Sequence, residues 1–196
     1  MLQLVPRPSR TRNLLLIAAV VVALVAAVFS PIILRPSVSQ PDTSGGMSSV
    51  LASHRQLMTA TTMTTQTWPR VDVQSINDVP GARAVGAWVI EESDLEGFDP
   101  PLDESDYESG LSFLAAAIPG FDAEVNALPQ PLGRGERAVL MVLWDIDECD
   151  ELEADPGASA RVDLGTLIGT SATENLPEIA APGFDVEFLR RTGTCD

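Results

Sequence analysis

Sixteen consecutive apolar residues, 14–29 (LLLIAAVVVALVAAVF), stand near the start of the chain, and after Ser30 and Pro31 the run resumes with Ile32, Ile33 and Leu34. The stretch 14–34 is 21 residues long, against the roughly 20 that an α-helix needs to cross a hydrocarbon core of about 30 Å. That core offers no water to the backbone N–H and C=O groups. Only a structure that pairs them internally is viable there, which for one short segment means a helix.

Arg7, Arg10 and Arg12 precede the run and Arg35 alone follows it. Positive charge flanking a first span stays in the cytoplasm. The pattern therefore predicts a cytoplasmic basic tail (1–13), a transmembrane helix acting as signal anchor in the cell membrane (14–34), and an extracellular C-terminal part. A cleaved signal peptide is the competing reading, with small residues near Val25 and Ala27 as its site. The apolar run continues well past that site, which favours the retained anchor. No cysteine lies near the segment, which excludes a lipoprotein.

The charge is just as unevenly spread. Of the 12 basic residues, all arginine, four lie within the first 35 positions, giving +4; the remaining eight face 28 Asp and Glu, a balance of −20 that brings the chain to its net −16. A clustered basic face is what neutralises phosphates, so nucleic acid is excluded as a partner. With no lysine anywhere, Schiff-base chemistry and a phosphate-loop lysine are excluded too.

Residues 35–46 are rich in Ser, Pro and Gly and read as a flexible stalk. Residues 47–196 then form an acidic, extracytoplasmic, mainly β domain. Its first segment is expected to be helical: Met47, Val50, Leu51, His54, Leu57 and Met58 recur at three- and four-residue spacing. His54 is the one histidine, and without a second it reads as a packed side chain rather than a ligand.

Beyond Met58 the pattern is β. Residues 59–67 (TATTMTTQT) are dominated by a β-branched type. Val71 and Val73 alternate with polar neighbours. Residues 82–90 (ARAVGAWVI) follow a Pro80–Gly81 turn signal. Residues 138–144 (AVLMVLW) are seven apolar residues in a row, short enough for a strand buried on both faces. Val162, Leu164, Thr166 and Ile168 alternate with polar or small residues, as do Phe184, Val186 and Phe188, and a further strand fits 121–126. Residues 111–118 show helical periodicity. Six or seven short strands between Pro- and Gly-bearing turns predict an immunoglobulin-like two-sheet β-sandwich, with a small barrel as the rival. Trp88 and Trp144, within or ending apolar strands, are expected in the core.

Cys149 and Cys195 are the only cysteines. In an oxidising compartment such a pair forms a structural disulfide. Nine carboxylates fall in 91–108 and seven in 145–155. Neither run carries the Gly at the sixth and Glu at the twelfth position that a helix-loop-helix calcium site requires. Both read as solvated loops. No catalytic, cofactor or metal-ligating residue is assigned, since no nucleophile elbow or metal spacing is present. The function expected is a non-catalytic, membrane-anchored interaction module of the cell envelope that contacts the bilayer through 14–34 and binds another membrane or envelope protein. The alternatives are binding of a divalent cation or basic ligand by the acidic loops, and an envelope hydrolase.

Overall fold

A computed structural model describes residues 10–33, 35–39, 47–51, 55–65, 70–95, 109–154, 159–176 and 186–195. The chain divides into two compact units, 1–35 and 36–196.

In the first unit, α1 (Arg10–Ile33) is a continuous 24-residue helix. Its described side chains, 14–25, are all exposed. A helix apolar on every side is normally buried in protein or lipid. Among the described residues no helix is long and apolar enough to cross a membrane.

Among its described residues the second unit contains two antiparallel four-stranded sheets. Strands β1 (Met47–Leu51), β2 (Gln56–Thr64), β6 (Arg137–Ile146) and β4 (Ala82–Glu91) lie in that order in the first sheet; β5 (Gln130–Leu132), β3 (Val71–Asn77), β7 (Ala160–Thr166) and β8 (Ser171–Leu176) in the second. Leu57, Val89, Leu140, Val142 and Trp144 of the first sheet share one core with Val71, Val73, Leu132, Val162 and Leu164 of the second. This is a β-sandwich. The opposite face of the first sheet is covered as well: α2 (Gly110–Ala117) lays Phe113, Leu114 and Ala117 on Met58, Trp88, Met141 and Leu143.

Strand β6 is therefore buried on both faces, as the unbroken apolar run 138–144 predicts. Even-numbered residues point into the sandwich and odd-numbered ones toward α2. Trp144 is fully buried and its indole N–H donates to Thr59 Oγ1 at 2.8 Å. That bond satisfies the one polar atom of the largest core side chain.

Strand β4 keeps the same partition only by means of a bulge. Ala82 faces the sandwich, pairing slips between Ala84 and Gly86, and afterwards Val89 faces the sandwich while Trp88 and Ile90 face α2. The extra residue reverses which parity points inward. Gly86 is required there, because a Cβ would come within 2.2 Å of the Trp88 ring. The second sheet has one wet face: Arg161 and Asp163 alternate with buried Ala160, Val162 and Leu164.

Four short-range expectations are overturned, one of them the alternation through Ile168, since β7 ends at Thr166 and Ile168 lies in a turn. The helix expected over Met47, Val50, Leu51, Leu57 and Met58 is instead a β1–β2 hairpin, with Arg55 at φ 52 in its turn. Pairing of Leu57 with Trp144 outweighs a local periodicity spanning only about three turns. His54 lies outside the described residues. The strand expected around Val186 and Phe188 is α4 (Val186–Arg191). Six residues are too few to tell the two periods apart, and the three-residue step puts Val186 and Leu189 together in the core. Phe184 is not among the described residues. The strand at 121–126 is a turn, in which Asp122 Oδ1 accepts from the N–H groups of Glu124 (2.9 Å) and Val125 (3.1 Å).

Of the expected stalk, 35–46, residues 36–39 are fastened to the β unit. Ser39 exchanges backbone hydrogen bonds with Thr64 (2.8 and 2.9 Å), Thr65 Oγ1 donates to the Ser37 carbonyl (2.8 Å), and the Val38 N–H donates to Glu174 Oε2 (3.0 Å).

Cys149 and Cys195 form the expected disulfide, joining α3 (Cys149–Ala154) to the chain beyond α4, with Cα atoms 5.9 Å apart. A sequence separation of 46 corresponds to about 4 kcal/mol of loop-closure entropy. We predict that replacing both cysteines by Ser lowers the unfolding free energy by about 2 to 4 kcal/mol in denaturant titrations of the oxidised protein; an unchanged midpoint would show that the bridge fastens nothing.

Candidate functional site

The second acidic run is spread along the end of β6 and over α3. Asp145 accepts from Gln56 Nε2 at 2.8 Å and from Arg83 at 3.3 Å, Asp147 lies 4.0 Å from the same guanidinium, and Glu153 pairs with Arg190 at 2.8 Å. Of the first run, Glu92 pairs with Arg137 at 2.8 Å, while residues 96–108 lie outside the described set. Asp145 is 30% exposed and the other charged partners 40% or more, so each ion pair contributes at most about 1 kcal/mol. Among the described residues, no group of three or more His, Cys, Asp and Glu is placed to hold a metal ion.

Two clefts remain. One, of about 350 Å³, sits where β4 ends beside β5 and is lined by Arg70, Glu91, Asp94 and Glu136 over Val89 and Leu132. Arg70 is engaged by Asp72 at 3.5 Å, and Glu136 Oε2 accepts the Gly133 N–H at 2.6 Å. Its chemistry suits one cationic group, an amine or guanidinium, above an apolar floor.

The other, of about 400 Å³, lies between β3 and β4 and is lined by Ile76, Ala84, Val85, Gly86, Trp88 and Leu128. It exists because two strand edges stop being paired. β5 covers β3 only at Val71, Asp72 and Val73, and residues 126–128 cover β4 only beyond the bulge, through Leu128 N–H to Ala87 and Val89 N–H to Asn126. Before the bulge the edge is guarded by Asp78, whose Oδ1 accepts the Ala84 N–H at 2.9 Å. A partly guarded sheet edge, walled by Ile76, Val85 and Leu128 and also by Gln74 and Ser75, can take an extended segment. Sequence reasoning missed this cleft; its signal was Gly86, an isolated glycine inside a strand pattern, which marks a bulge.

The outer face of the second sheet carries a cross-strand polar row. Asp163 accepts from Thr173 Oγ1 at 2.7 Å and from Ser75 Oγ at 2.9 Å. Hydrogen bonds from Thr173, Ser75 and Asn77 hold its carboxyl below the usual carboxylate range, against a smaller opposing effect of burial. A group depressed in the folded state stabilises above the unfolded-chain value, about pH 4, and that stability is lost as pH falls through the lower folded value. Asp163→Ala should lower the denaturation midpoint at neutral pH, with the difference from the parent narrowing well below pH 4. A difference equal at both would contradict this.

No known family model matches the chain, and no curated protein matches it.

Proposed function

We propose that this chain is a single-pass, membrane-anchored interaction module: residues 14–34 cross the cell membrane, 1–13 remain cytoplasmic, and an extracellular immunoglobulin-like sandwich binds another membrane or envelope protein without catalysis. The observation that carries the reading is the 21-residue apolar stretch 14–34 of the sequence, most of which lies in α1. This helix runs unbroken from Arg10 to Ile33 and exposes an apolar surface that water disfavours. Arg7, Arg10 and Arg12 before the apolar stretch and the single Arg35 after it support the orientation. The disulfide between Cys149 and Cys195 supports an oxidising compartment.

The strand order supports the immunoglobulin-like plan. With β5 set aside as an added edge strand, the sheets run 1-2-6-4 and 3-7-8, the A-B-E-D and C-F-G arrangement of constant-type domains. The cleft between β3 and β4, with Val85 exposed at its rim, supports docking of a protein segment.

The full chain should remain in the membrane pellet through an alkaline carbonate wash, should react with a thiol alkylator only after reduction, and should co-purify with a partner in mild detergent. Release by carbonate with both thiols free would overturn the anchor and the compartment together. Migration as a lone monomer would overturn the partner.

A further inference from the structure

We propose that the turn joining β7 to β8 is a lipid-contacting tip, seated in the interface of the bilayer that residues 14–34 cross; the proposal rests on the anchor reading above. Leu167 and Ile168 are adjacent and 74% and 59% exposed. Both stand apart from the two hydrophobic clusters of the β unit. Positions at the apex of a tight turn are normally filled by Asn, Asp, Gly, Ser or Pro, so two bulky aliphatic residues there run against local folding chemistry.

The turn does not need them for its shape. The Gly169 N–H donates to the Thr166 carbonyl at 2.9 Å, the Thr166 N–H to the Thr170 carbonyl at 3.0 Å, and the Thr170 N–H to Thr166 Oγ1 at 3.2 Å, with Gly169 at φ +81. The backbone and two threonines set the loop and hold both aliphatic side chains out in solvent. Residues 164–173 (LGTLIGTSAT) also contain no charge, in a β unit that is otherwise strongly acidic. Uncharged polar flanks around exposed aliphatic residues suit partial insertion at a lipid surface.

Strand register supplies the independent argument for lipid as the occupant. Thr166 and Leu132 both pair with Val71, Arg134 bridges to Thr65, and Thr64 pairs with Ser39. The turn therefore lies at the end of the β unit where the chain arrives at Pro36 from the apolar segment. Exposed Arg134 at this end can meet a lipid phosphate, whereas Glu91 and Asp94, also there, disfavour an anionic surface. A zwitterionic bilayer is the best match.

The test uses full-length protein in phosphatidylcholine vesicles, with one nitroxide label per variant at Ile168→Cys, Leu167→Cys, Arg161→Cys (the other end of β7) or Val21→Cys in α1, and collision rates measured with oxygen and with a water-soluble nickel chelate. Labels at 167 or 168 that share the oxygen-rich, nickel-poor signature of 21, with 161 nickel-accessible, support the tip. Labels at 167 and 168 as nickel-accessible as 161, with 21 shielded, overturn the tip and leave the anchor standing. Shielding of 167 and 168 from both reagents overturns it in favour of a protein contact. A nickel-accessible label at 21 removes the anchor and, with it, the tip.

Discussion

From Ala138 to Trp144 strand β6 has no solvent face, and most of the fold follows from that. Leu140, Val142 and Trp144 occupy the space between the sheets, and Val139, Met141 and Leu143 meet α2. Burying one such side chain contributes roughly 1.5 to 3 kcal/mol, so six alternating residues commit the strand to lie between two layers. Flanking strands must then be two-faced as well. β2 manages this with threonine, whose methyl packs and whose hydroxyl, at Thr59, accepts the Trp144 indole proton. β4 manages it with the bulge before Gly86, which lets Trp88 turn toward α2 while Val89 keeps to the sandwich.

The second sheet is under a weaker constraint. One face packs on β6 and its neighbours, while the other is held together by side-chain hydrogen bonds such as those from Ser75 and Thr173 to Asp163. Strands covered on one side can end in open edges and exposed turns without losing the core. It is this sheet that leaves the β5-side edge of β3 open beyond Val73, while β7 still pairs with it to Asn77, and carries Leu167 and Ile168 at its tip. The open edge of β3 and the exposed turn thus sit on the half of the sandwich that the core can spare.

Strands with long or unmixed patterns were legible in the sequence: 138–144 from an unbroken apolar run, 71–73 and 162–164 from alternation, 82–90 from its turn signal. The disulfide was legible because only two cysteines exist. Where a segment was short, local pattern was ambiguous and tertiary pairing decided. The first dozen residues of the β domain alternate at helical spacing yet pair as a hairpin, and Val186, Phe188 and Leu189 fit either period until packing selects the helix. The two clefts were not legible, since they arise from where neighbouring strands stop pairing. The apex of the β7–β8 turn was misread for a related reason: Ile168 continued an alternation that in the structure ends at Thr166.

Amide hydrogen exchange of the full chain, resolved by residue, tests the two-sided burial of β6 most directly. The account predicts that amides of 139–143 exchange slowest of all, near the limit set by global unfolding, with β8 and the turn at 167–170 exchanging through far smaller openings. Exchange of 139–143 as fast as that of β8 would contradict it, because a strand closed on both faces cannot open before one closed on a single face.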